Sequence, residues 1–248
     1  MNTIKPYKKD LDISFTSGAY VTFELLDSRP ERLKMVFIHS SFTDPAGLSD
    51  KCGSYGVPIV SDDRIFSRMN QKGNSYVLGV FQKYSCTLDP AKAHILLVNP
   101  SDMGNLGTII RTAAGLGFND LAIISPAADI FDPKTIRASM GSLFRLNFMI
   151  FENFSEYRSA YPDHICYPFM LDGYDLPEIL SHAHNPLFTL IFGNEAKGLG
   201  SEFSATGKAV KIPQSPLVDS LNLSVAVGIG AYLFAAKYGL ILSANKNL

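Results

Sequence analysis

The sequence predicts an α/β protein whose larger part is a parallel sheet covered by helices on both faces. Three observations carry this. Beyond residue 91, short apolar runs alternate with helical patterns. Those runs are apolar nearly throughout, as strands buried on both faces require. Glycine- and asparagine-rich segments follow them, and open α/β sheets bind ligands beyond the C-terminal ends of their strands.

Element by element, Leu33–His39 reads as a buried strand. Asp44 to Tyr55 reads as a short helix, with Asp44 as N-cap and Pro45 at its first position. Val57–Val60 is strand-like. Ser61 or Asp62 then caps a helix through Ile65, Phe66 and Met69. Lys72–Asn74 is a turn, and Tyr76–Phe81 a strand. Lys83 to Lys92 contains Pro90 and no periodicity, and reads as a linker. Strands follow at His94–Val98, Leu121–Ser125, Phe144–Phe151, Ile165–Met170, Leu187–Phe192 and Ala209–Ile212. Helices are expected at Asn105–Leu116, Pro133–Ser139, Phe154–Ala160, Leu176–Ser181 and Leu221–Tyr238. With ~100–200 residues per domain, 248 residues divide best into 1–90 and 91–248.

Composition narrows the function classes. The chain is 46% hydrophobic and 18% charged, which excludes wholesale disorder. Its 22 basic and 23 acidic residues nearly cancel, so no global field draws in nucleic acid. Cys52, Cys86 and Cys166 are widely spaced and form no CxxC pair, which argues against a disulfide framework or a structural zinc site. The N-terminus lacks the apolar core of a signal peptide. The most apolar stretch, Val225 to Ala236, falls short of the ~20 residues a membrane span needs. A cytoplasmic protein with neither membrane nor metal partner is expected.

Three segments could carry chemistry. The first, Asn99 to Ala113, turns from strand into helix, with Gly104 and Gly107 permitting close backbone approach. Arg111 there sits amid Ile109, Ile110, Ala113 and Ala114. A charge so flanked is expected to be part-buried and to need a partner. The second, Ile191 to Gly200, places Glu195 just after an apolar strand. It is no P-loop, because Leu199 follows Gly198. Nor is there a dinucleotide fingerprint, since Asp120 stands where the third glycine after Gly115 and Gly117 should fall. The third, Ile212 to Ser224, is stiffened by Pro213 and Pro216, with Ser220 as the expected cap of the final helix. His182 and His184 read as surface histidines.

Together and in this order, Asn105–Ala113, Phe192–Leu199 and Ile212–Ala226 resemble the SpoU (TrmH) family of RNA ribose 2′-O-methyltransferases, of the SPOUT class. Asp132–Phe144 also resembles the family's stretch after the second strand. The resemblance covers roughly residues 93–240. Residues 1–90 resemble more loosely an L30e-like RNA-binding domain. Departures are Ala196 for a usual glycine, Gln214-Ser215-Pro216 for a Met-Ser-Gly-like run, and Asp219 for a usual glutamate.

The resemblance implies S-adenosylmethionine as methyl donor, bound in a deep trefoil knot, and a homodimer acting on RNA, ribosomal before transfer RNA. It implies catalytic roles for Asn105, Arg111, Glu195, Ser220 and Asn222, and cofactor contacts at Leu190, Gly193, Ile212 and Leu221. The small residues Ala226, Gly228, Gly230, Ala231 and Ala235 would let helices approach closely, either across the dimer or in tight packing inside one subunit. Lys72, Lys134, Arg137 and Arg145 are candidate RNA contacts. Arg111 matches the arginine proposed to handle the hydroxyl proton, but a guanidinium is a poor base, so phosphate binding and hydroxyl polarisation suit it better. Two other classes stand beside this reading. One is an RNA-binding protein with a degenerate methyltransferase domain, against which the five intact motif residues speak. The other is a nucleotide-dependent α/β enzyme, against which the failed fingerprints speak.

Overall fold

The computed structural model describes residues 4–44, 46–69 and 75–243, so Pro45, Lys72 and the expected turn at Lys72–Asn74 lie outside the described residues. The chain forms two compact units, Met1–Tyr84 with Asp129–Arg145, and Ser85–Ala128 with Leu146–Leu248. The division expected at residue 90 differs from this in two stretches, 85–90 and 129–145.

The first unit opens with a strand and a helix where no element was expected, β1 (Ile13–Ser17) and α1 (Ala19–Ser28). Then come β2 (Leu33–Ile38), α2 (Leu48–Ser54), β3 (Ile59–Ser61), α3 (Asp63–Arg68) and β4 (Val77–Gln82). The four strands lie in the order β1-β4-β2-β3, antiparallel but for β2 and β3. One cluster joins Phe15, Phe37, Ile65, Phe66, Leu78 and Val80. Asp62 caps α3 by accepting from Arg64 N. Asp44 does not cap α2 as expected. Gly47, in the left-handed region at φ 71°, stands at the cap, and Asp44 reaches past it to accept from Leu48 N and Ser49 N at 2.7 and 2.8 Å.

In the second unit β5 (His94–Val98), α4 (Met103–Gly115) and β6 (Asp120–Ile124) come first. Residues 129–145, which pack with the first unit, then carry α5 (Pro133–Ala138) and a 3-10 turn, Ser142–Arg145. That turn shortens the strand expected from Phe144, which runs only over β7 (Asn147–Phe151). In this segment Phe144 packs edge-on to Phe81 at 5.3 Å, and Ser14 Oγ donates to Phe131 O at 2.5 Å. The second unit continues with α6 (Phe154–Ala160), β8 (Ile165–Asp175), α7 (Leu176–His182), β9 (Phe188–Phe192), β10 (Val210–Lys211), α8 (Leu223–Tyr238) and α9 (Leu240–Ser243). Its six strands lie in the order β10-β8-β9-β5-β6-β7, every pair parallel. β5, β6 and β9 are buried at every position, which explains their continuous apolar runs.

The stretch taken for a linker is tied to the N-terminal ends of these strands. His94 Nε2 bonds Asp89 O at 2.9 Å, His164 Nε2 bonds Pro90 O at 3.1 Å, and Asp89 N donates to the buried Asp120 carboxylate at 2.8 Å. The small residues of α8 also serve the chain itself. A Cβ on Gly230 would lie 2.5 Å from the Phe169 ring, and Ala231 and Ala235 are fully buried. What α8 turns outward is Val225, Tyr232, Ala236 and Lys237. Among the described residues no helix is long and apolar enough to cross a membrane, and no group of histidine, cysteine and acidic residues is placed to hold a metal.

Candidate active site

The strand order reverses its direction of growth between β5 and β9. Loops leaving such neighbours at their C-terminal ends part to opposite faces and open a crevice there. Here the loop after β5 and the loop after β9 meet through Glu195. Its Oε2 accepts from Ser101 N (3.0 Å) and Ser101 Oγ (2.9 Å), and its Oε1 from Asp102 N (3.1 Å) and Asn105 Nδ2 (3.3 Å). Asp102 is the N-cap of α4, so the carboxylate also sits where a helix end favours negative charge. Burial raises the Glu195 carboxyl, but the donors from Ser101, its own amide and Asp102 outweigh it and hold the group below its ordinary value. Glu195 is thus an ionised strut between loops, its oxygens already occupied by donors.

The strut extends on both sides. Asn222 Nδ2 donates to Asn105 Oδ1 at 3.2 Å. Asn222 is also the N-cap of α8, accepting from Ser224 N and Ser224 Oγ at 2.9 and 2.7 Å. The cap expected at Ser220 is therefore two residues later, where an asparagine with a serine two positions on offers more hydrogen bonds. On the other side Asn194 Nδ2 donates to Asn99 O at 2.8 Å and to Glu195 Oε2 at 3.3 Å, while its Oδ1 accepts from Ala196 N and Lys197 N. Asn194 and Gly198 close the loop with paired backbone bonds. A Cβ on Gly193 would fall 2.1 Å from the Gly198 carbonyl carbon, so only glycine lets the loop fold back this tightly.

Beside this network a cavity of about 340 Å³ opens at the ends of β8, β9 and β10. Its lining includes the apolar Phe169, Phe192, Val210, Leu223 and Ala226 and the polar Glu195, Lys197, Gln214, Asp219 and Ser220. This size and mixture suit an organic ligand with both apolar and polar groups. Gly193, Ile212 and Leu221, expected to contact the cofactor, are among the residues that line it. Leu190 does not. It lies inside β9, fully buried, two residues before the strand end at which the cavity opens. Ser220 is exposed on the cavity, and its hydroxyl is free among the described residues.

Arg111 departs from expectation. It is exposed, with no hydrogen bond or ion pair among the described residues. The reason is helical phase. Gly104, Thr108, Arg111 and Gly115 recur at spacings of four and three and form the solvent stripe of α4, while Leu106, Ile109, Ile110 and Ala113 turn inward. Ser101, Asn194 and the aromatic pair Phe169 and Phe192, stacked at 4.3 Å, were not singled out from sequence. Ser101 stood beside a recognisable helix start; Phe169 carried no local signal.

A family model described as the SpoU rRNA Methylase family matches residues 92–232. A protein from Synechocystis named an uncharacterized tRNA/rRNA methyltransferase is 30% identical over 68% of this chain, and the match spans 62% of its own length. The 23S rRNA (guanosine(2553)-2′-O)-methyltransferase RlmP of Bacillus subtilis is 26% identical over 87% of this chain and 85% of that protein. The crystal structure of an AdoMet-bound rRNA methyltransferase from Sinorhizobium meliloti has a TM-score of 0.76 and 26% identity, covering 92% of this chain and 88% of that one.

Proposed function

The chain belongs to the SpoU rRNA methylase family, and from that membership we propose that it methylates a ribose 2′-hydroxyl of ribosomal RNA with S-adenosylmethionine as donor. The observation that carries this is the Glu195 strut beside a cavity built from the family's second and third motifs. S-adenosylmethionine, when bound, supplies a methyl group on a positively charged sulfur. The cavity fits such a ligand in its apolar wall and in the backbone offered by Gly193, Ile212 and Leu221.

The protein's own task is to hold an RNA hydroxyl in line with that methyl and to ease loss of its proton. Arg111, unpaired among the described residues, binds RNA phosphate and polarises the hydroxyl. Ser220 donates to the ribose or accepts from it. Asn105, Asn222 and Glu195 position the loops and touch one another first. Residues 1–90 act as an L30e-like RNA-binding domain, with Lys134 and Arg137, both exposed, as further phosphate contacts. Arg145 is less available, being paired with Glu24 at 2.5 Å. The motif loops belong to a trefoil knot, the protein works in the cytoplasm, and a second copy covers the outward apolar face of α8.

The test is to incubate the protein with labelled S-adenosylmethionine and ribosomal RNA and map the new 2′-O-methyl position. Arg111→Ala should lower transfer by at least about a hundredfold, in the range for removing a transition-state contact, while S-adenosylhomocysteine binding persists. Undiminished turnover in that variant would remove Arg111 from the mechanism.

A further inference from the structure

Charge is sparse on the cavity wall. Among the described residues Lys197 is the only basic side chain there, and Glu195 and Asp219 are the only acidic ones. Glu195 is occupied by donors from Ser101, Asp102 and Asn105. Lys197 and Asp219 are not occupied. Both are exposed, and neither side chain has a hydrogen bond or ion pair among the described residues. Their backbones are nevertheless fixed. Lys197 N donates to Asn194 Oδ1 at 3.1 Å within the loop that Asn194 and Gly198 close. Gln214 Nε2 donates to Asp219 O at 3.3 Å across a loop that contains Pro213 and Pro216. A cation and an anion are thus presented, each on a stiffened loop, to one cavity whose remaining wall, apart from the donor-occupied Glu195, is apolar or neutral.

We propose that Lys197 and Asp219 recognise the zwitterionic amino-acid end of the methyl donor, Lys197 its carboxylate and Asp219 its ammonium group, an inference that rests on the function proposed above. Opposite charges on one short ligand segment match opposite charges on the cavity wall, and each pairing is a charge-assisted hydrogen bond. The apolar wall around Phe192 and Leu223 is left to the nucleoside. Lys197 replaces nothing in the strut, so its loss leaves the loops in place.

The test compares S-adenosylhomocysteine with 5′-methylthioadenosine, which lacks the amino-acid end, by calorimetry on the whole chain. Wild type should bind S-adenosylhomocysteine more tightly. Lys197→Ala and Asp219→Asn should each weaken it by about tenfold, the effect expected of one partly exposed charge-assisted bond. Neither should change the affinity for 5′-methylthioadenosine, and Lys197→Arg should keep most of the wild-type affinity. Equal weakening of both ligands, or of RNA binding alone, would overturn the assignment. Equal affinity of wild type for the two compounds would overturn it as well. Failure of wild type to bind S-adenosylhomocysteine would instead overturn the proposed function, and this inference with it.

Discussion

At the scale of single residues, Glu195 shows how an acidic side chain after a strand becomes a structural anion. Three backbone or hydroxyl donors and two side-chain amides point at it. Glu195→Gln keeps the shape but turns one oxygen into an NH₂ group that faces donors. The variant should lose about 1 kcal/mol, since the site is partly exposed and water can serve the donors left unmatched. Urea unfolding measures this, and a midpoint equal to wild type would refute the strut. Its presence after an apolar strand was legible from the sequence; its partner was not. Arg111 was expected to be part-buried because apolar neighbours surround it in sequence. In a helix those neighbours lie on another face, so adjacency along the chain misled where the spacing 104, 108, 111, 115 did not. Asn222 was legible as a polar head to an apolar helix, but its double bonding to α8 and to Asn105 depends on a contact 117 residues away.

At the scale of elements, periodicity served well where strands are buried on both faces and poorly at chain ends. β1 alternates and α1 carries Val21, Leu25 and Leu26 on one face, a readable pattern in a stretch assigned no elements. The polar residues at or next to the starts of β5, β6 and β9, His94, Asp120 and Thr189, had no partners assigned from sequence. In the sheet His94 stands beside Asp120 and Thr189. His94 Nδ1 bonds Tyr157 OH (2.9 Å), which bonds Thr189 Oγ1 (2.6 Å), and His164 Nδ1 reaches the same Thr189 (3.0 Å). Burial pushes the His94 imidazole down to about 4 and lowers His164 as well. Unfolding restores ordinary histidines, so the unfolded chain binds more protons between pH 6.5 and about 4. Stability is therefore present above that window and lost as pH falls through it, by up to about 3 kcal/mol for His94. Asp120, raised by burial, acts in the opposite direction. Denaturant midpoints measured from pH 7 to 4 should fall, and fall less in His94→Gln. A flat wild-type profile would mean that these rings do not clasp residues 88–92 to the sheet as neutral groups.

At the scale of the whole molecule, the near-cancelling charge and the high apolar content were the first facts available, and they point less to a ligand than to surface that must be covered. Dividing the chain by sequence could not reveal that residues 129–145 return to the first unit, because Phe131 and Phe144 find their partner Phe81 only in three dimensions. The same limit applies to α8. Its small residues suggested a contact between copies, yet Gly230, Ala231 and Ala235 are spent on Phe169 and the core of their own chain. The helix is apolar almost all round, a pattern that ordinarily means burial on every side. Val225 and Tyr232, seven residues apart and therefore on one face, are nevertheless 48% and 54% exposed, with Ala236 beyond them. A second copy applied along this face, beside the solvent stripe of α4, would complete the burial and hide surface that otherwise favours aggregation. Sedimentation equilibrium at micromolar concentration should therefore give twice the 27.1 kDa chain mass. Val225→Asp with Tyr232→Asp should give the monomer with unchanged circular dichroism, since neither side chain is buried within the chain. A wild-type monomer, or a dimer indifferent to both changes, would place the contact elsewhere or remove it.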